Sequence, residues 1–112
     1  MSSNEARAAA PNPAPLFAAL GDHTRLSLLM TLSDGQSRSI AELSADTELT
    51  RQAVTKHLRV LENAGLVRCR HVGRESQFAF RSEPIAEITA YLEAVSRRWD
   101  DALARLRALV ER

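Results

Sequence analysis

The chain has 112 residues, of which 45% are hydrophobic and 26% charged, the size of one domain and the composition of an ordinary soluble globular protein. A single cysteine excludes an intramolecular disulfide; with no CxxC or Cys/His cluster and no run of about 18 apolar residues, a reducing, cytoplasmic setting without a membrane segment is expected. The net charge of +1 is unevenly spread: between Arg51 and Arg81 seven cations face only Glu62 and Glu75, a local +5 that leaves −4 elsewhere, and such a basic segment suits a polyanionic partner.

Residues 1–14 are rich in Ala, Pro, Ser and Asn and read as a flexible tail; their prolines fall where a signal peptide needs an unbroken apolar stretch. Residues 15–112 read as one domain. Leu16, Phe17 and Leu20 form a short apolar turn of helix, and Gly21 interrupts it. Asp22 then caps a second helix carrying Leu26, Leu29, Met30 and Leu32, which Gly35 stops. Ser39-Ile40-Ala41-Glu42 is a capping box opening a short helix with Ile40, Ala41 and Leu43 inward. After the connection Thr47-Glu48-Leu49, Thr50 caps a longer helix from Arg51 to Ala64, closed by Gly65. Two helices a tight turn apart make residues 39–65 a helix-turn-helix candidate.

Across residues 66–81 the period becomes alternating. Leu66 to Val72 and Ser76 to Phe80 flank Gly73-Arg74-Glu75, a β-hairpin with Arg68 and Arg70 on its solvent face and Arg74 at its tip. Cys69 has the opposite parity and reads as a small core hydrophobe rather than a redox switch, which would need a second, resolving thiol. His71 shares that parity and is expected to be half-buried. Residues 83–111 form one long helix with apolar residues at Ile85, Ile88, Leu92, Val95, Trp99, Ala102, Leu106 and Leu109, in alternating steps of three and four. That is a heptad seam. About 26 residues at about 1.5 Å each reach about 39 Å, more than a small globule covers from one side, so the seam is expected to meet a second copy of the chain.

On the longer helix Val54, Leu58 and Leu61 share one face, while Gln52, Lys56, Arg59 and Asn63 share the other; Arg51 and Thr55 lie on one flank and His57 on the other. Glutamine pairs with adenine through its amide, threonine touches a thymine methyl or a phosphate, and arginine or lysine reaches guanine or the backbone. A merely solvated helix alternates acids with bases, whereas this face has Glu62 as its one acid. Double-stranded DNA is therefore the expected partner, through Arg51, Gln52, Thr55, Lys56, His57, Arg59, Arg68, Arg70 and Arg74. The alternative is a protein-interaction module whose basic face meets an acidic protein. No Ser/His/Asp constellation, carboxylate pair or glycine-rich phosphate loop can be assembled, so neither enzymatic activity nor a cofactor is expected.

The stretches LFAALGDHTRLSLLMTLSDG and LTRQAVTKHLRVLENAGLVRCRHVGRESQFAF together resemble the ArsR-type winged-helix transcriptional regulators over about residues 16–110. The likeness lies in an early Asp-x-Thr-Arg helix, a Gln-x-x-x-x-x-Leu recognition helix, a Leu-Glu-x-Ala-Gly-Leu-Val exit and a Gly-Arg wing tip. It implies a mainly α fold with a β-hairpin wing, a winged helix-turn-helix that dimerises through its terminal helices. It also implies a homodimeric bacterial regulator, usually a repressor; the two recognition helices of such a dimer are expected about 34 Å apart, on an inverted-repeat operator. Matched by position, Gln52, Thr55 and His57 fall where the recognition helix contacts DNA, and Arg74 falls at the wing. Leu16, Leu20, Ile88, Leu92, Val95, Trp99, Leu106 and Leu109 become dimer-interface candidates. Metal-sensing members carry Cys-x-Cys before the recognition helix or Asp and His on the last helix. Here the first lacks a thiol and the second lacks histidine, while His23, His57 and His71 lie on separate elements, so no metal site is expected. The effector is left open.

Overall fold

A computed structural model describes residues 12–111. In chain order the elements are α1 (Ala14–Leu20), α2 (His23–Leu32), β1 (Arg38–Ser39), α3 (Ile40–Ala45), α4 (Arg51–Asn63), β2 (Val67–Val72), β3 (Glu75–Phe80) and α5 (Glu83–Val110). The expected tail falls mostly outside the described residues. Its last residue, Ala14, is already helical, because Pro15 is at home in a first turn, where its missing N–H would have no partner anyway.

The helix starts obey their caps. Asp22 accepts the Arg25 amide at 3.0 Å and Thr50 accepts the Ala53 amide at 3.1 Å. Ser39 and Glu42 satisfy one another's backbone N–H groups at 3.1 and 3.0 Å, the full capping box. At the end of α4, Gly65 sits at φ 79° while its N–H reaches Glu62 O and the Leu66 N–H reaches Leu61 O, each at 2.9 Å. This Schellman arrangement turns the chain sharply from helix into β2.

The sheet has the order β1-β3-β2, all antiparallel. Val72 pairs with Glu75, so the wing turn is Gly73-Arg74 alone, one residue shorter than expected, with Gly73 at φ 63°. The strand β1 was not expected. It pairs Arg38 with Phe78 and Ser39 with Gln77, and two residues are too few to show alternation. Arg38 secures it, donating to both Asp34 carboxylate oxygens at 3.0 and 2.7 Å and to Thr31 O at 2.9 Å.

The core joins Leu28, Leu32, Leu43, Leu66, Val67 and Phe78 to Val54, Leu58 and Leu61, all three at 0% exposure. The α4 helix is thereby held with its basic face outward. Leu16 and Ile88, two of the expected dimer-interface residues, are buried in this same core, and Leu20 is half-buried beside it. Phe17 meets Tyr91 edge-on, with ring centroids 6.0 Å apart, so α1 lies along the start of α5. Beyond Ile88 the long helix leaves the core. Val95 is half-buried, whereas Leu92, Trp99, Leu106 and Leu109 are 50–65% exposed. The radius of gyration is 19.0 Å, against about 13 Å for a compact domain of this length. No helix among the described residues is long and apolar enough to cross a membrane.

Candidate nucleic-acid interface

Burial of one stripe of α4 decides what its other side presents. Arg51, Gln52 and Lys56 are exposed and Thr55 is half-buried. The wing tip and the start of α3 stand opposite the first turns of α4. Ser39, Ile40, Ala41, Arg51, Gln52, Thr55, Lys56, Arg74, Glu75 and Ser76 line an open groove of about 760 Å³ between them. Five of the expected DNA-contact residues, Arg51, Gln52, Thr55, Lys56 and Arg74, are thus brought together. The Thr55 hydroxyl donates to Arg51 O at 2.7 Å, which leaves its oxygen as an acceptor. Among the described residues, the side chains of Arg51, Gln52, Lys56 and Arg74 form no internal hydrogen bond or ion pair, so their polar groups are available to a ligand.

The remaining candidates lie outside this groove. Arg68 and Arg70 are exposed on β2, the edge strand. Arg59 turns back along its own helix: its guanidinium donates to Glu62 Oε1 at 2.9 Å and lies 6.0 Å from the centre of the Phe78 ring. His57 also lies apart from the groove. It is half-buried, and its Nδ1 lies 3.3 Å from Arg25 Nη1 and 3.7 Å from Asp22 Oδ2, so the ring is engaged with the start of α2 rather than displayed beside Gln52 and Lys56. The hydrogen bond from the Arg25 amide, helped by the charge of Arg25, holds the Asp22 carboxyl below its ordinary value.

Cys69 is partly buried against the core, opposite Phe78 on the neighbouring strand. His71, expected to be half-buried, is exposed because the hairpin beyond Arg70 projects past the core; its Nδ1 lies 3.3 Å from Ser76 Oγ. Among the described residues no three or more His, Cys, Asp or Glu gather in a way that could hold a metal ion. The groove residues missed in the sequence are Ser39, Ile40, Ala41, Glu75 and Ser76. The capping box marks where α3 starts, but only the β1–β3 pairing brings that start up to the wing.

A family model described as "Bacterial regulatory protein, arsR family" matches residues 22–68, from the cap of α2 into β2. The HTH-type transcriptional regulator YuzN of Bacillus subtilis is 39% identical over 83 residues, covering 69% of this chain and 90% of that protein. An ArsR-like transcriptional regulator from Rhodococcus sp. RHA1 superposes with a TM-score of 0.75 at 34% identity, over 87% of this chain and 91% of its own. A homodimeric winged helix-turn-helix DNA-binding domain from Mycobacterium bovis superposes at 0.60 with 25% identity, over 75% and 77% of the two chains. With its helix-turn-helix, three-stranded wing and these relatives, the chain belongs to the ArsR family of winged helix-turn-helix, DNA-binding transcriptional regulators.

Proposed function

We propose that the chain is a sequence-specific regulator that binds an inverted-repeat operator in double-stranded DNA as a homodimer, acts as a repressor in the cytoplasm, and has neither enzymatic activity nor a cofactor. The observation that carries this reading is the groove joining Arg51, Gln52, Thr55 and Lys56 to Arg74, on a helix whose opposite stripe is fully buried. A helix so mounted enters the major groove with its first turns, while a basic tip beside it follows the flanking backbone. In this reading residues 39–65 are the DNA-reading unit, 66–81 the wing and 83–111 the dimerisation helix. The exposed stripe of α5 and the homodimeric relative support the assembly.

The repressor assignment rests on the family resemblance. A relative that is 33% identical, HlyU of Vibrio cholerae, is named a transcriptional activator, so the direction of control is read from a reporter. Binding of an acidic protein partner is the less favoured alternative, because the related proteins are named as regulators. Selection from a random duplex library at physiological salt is expected to converge on an inverted repeat with half-site centres about 34 Å apart, one helical turn. A reporter behind that sequence is expected to fall silent on expression of the protein. Failure to enrich any sequence overturns the reading; enrichment with reporter activation overturns only its sign.

A further inference from the structure

The Asp-x-Thr-Arg motif takes no part in the groove, yet its arginine joins three helices. Arg25 lies on the first turn of α2 and is half-buried. Its Nε donates to Ala19 O at 2.6 Å, its Nη2 donates to Ala18 O at 3.3 Å, and its Nη1 lies 3.3 Å from His57 Nδ1. The two carbonyls belong to the last turn of α1, where the negative end of the helix favours a cation; Ala18 O also accepts the Gly21 N–H at 3.3 Å. His57 belongs to α4 and follows Lys56, which lines the groove. A guanidinium only donates, so the contact needs His57 neutral, with its ring proton on Nε2. The charged groups facing this ring from α2 and its cap are Arg25 and Asp22.

The α1 helix meets α5 through the Phe17–Tyr91 ring contact, and its Leu16 shares one core with Ile88 of α5. A mechanical line therefore runs from the helix with the exposed apolar stripe, through α1 and Arg25, to the helix whose first turns line the groove. We propose that Arg25 and His57 are positioning residues that hold α4 at one angle to α1, and so set which half-site spacing the dimer accepts rather than which bases it reads. The inference rests on the dimer-and-operator reading above. Its lever arm is adequate: Arg51 lies six residues before His57 on α4, about 9 Å along the axis, and a tilt of about 20° about that contact moves the reading turn by about 3 Å, close to the rise of one base pair.

The test measures binding of the full chain, by fluorescence anisotropy, to the selected inverted repeat, to versions with half-sites one base pair closer or farther apart, and to a single half-site. The wild type is expected to prefer one spacing. Arg25→Ala and His57→Leu are expected to reduce that preference about tenfold, with half-site binding held within about threefold and the dimerisation constant unchanged. His57→Asn places an amide oxygen where Nδ1 stood and is expected to restore the preference. If Arg25→Ala proves too unstable to fold, the His57 pair decides alone. His57→Leu with an undiminished preference overturns the proposal, as does an equal loss on every duplex, the half-site included, which marks a base contact or general unfolding. A wild type without any preferred spacing removes the operator reading itself, and this is seen before any variant is compared.

Discussion

Gln52 and Arg74 line one groove from opposite sides and carry different chemistry. The amide of Gln52, on the first turn of α4, offers a donor and an acceptor together, the pattern that matches adenine in the major groove. Arg74, in a two-residue turn, offers a charge suited to phosphate or the minor groove. Gln52→Ala is expected to cost about 1–3 kcal/mol on the operator while barely changing binding to random DNA. Arg74→Ala is expected to weaken both and to lower the salt slope by about one. Isotherms for each variant, titrated with salt on operator and scrambled duplex, check this; if Gln52→Ala weakens both duplexes alike and Arg74→Ala alters only operator preference, the two roles are exchanged. The outward position of Gln52 and Lys56 was legible in the sequence because about half a helical turn separates them from Val54, Leu58 and Leu61. That of His57 was not. Its ring is claimed by Arg25, a residue 32 positions away, and the angular position of a flank residue says nothing about what another helix brings opposite it.

At the scale of elements, the caps were readable because each is a local exchange of hydrogen bonds within four residues, whereas β1 escaped notice because its pairing with β3 is long-range and only two residues long. The short α3 depends on its cap. Ser39→Ala removes the acceptor of the Glu42 amide and is expected to cost about 1 kcal/mol, a fall in Tm of roughly 4–8 °C in a domain of this size. Acid should act on the same joints. The Arg38 guanidinium, followed by the Gln36 amide, holds the Asp34 carboxyl down at about 2. The Ser39 amide and hydroxyl hold Glu42 below its ordinary value. Both groups have lower pKa values folded than unfolded, so their contributions are complete above the ordinary carboxylate range and are lost as pH falls from about 4 towards 2. Thermal melts at stepped pH are expected to show wild-type Tm falling through this window. Asp34→Asn is expected to start lower at neutral pH and to fall less steeply. An unchanged acid slope in that variant would remove Asp34 from the account.

At the scale of the whole molecule, α5 belongs to the fold at one end and carries an exposed apolar stripe at the other. The apolar stripe was legible as a heptad, but the repeat alone does not show where intramolecular packing stops, and Ile88 and Leu16 lie on the near side of that boundary. Leu106 lies beyond it, 57% exposed within its own protomer. Leu106→Glu is therefore expected to leave the monomer folded, because no core cavity or buried charge results, while placing a carboxylate in an interface of at least about 1,200 Å². Sedimentation should report a monomer with an unchanged helical spectrum. Binding to the inverted repeat should collapse towards that of a single half-site, since two linked binding events become one. The salt slope should fall to about half, as one recognition unit instead of two neutralises phosphates. A variant that remains dimeric excludes the heptad stripe as the seam, and a monomer that keeps the full slope and operator affinity breaks the link between dimerisation and DNA reading.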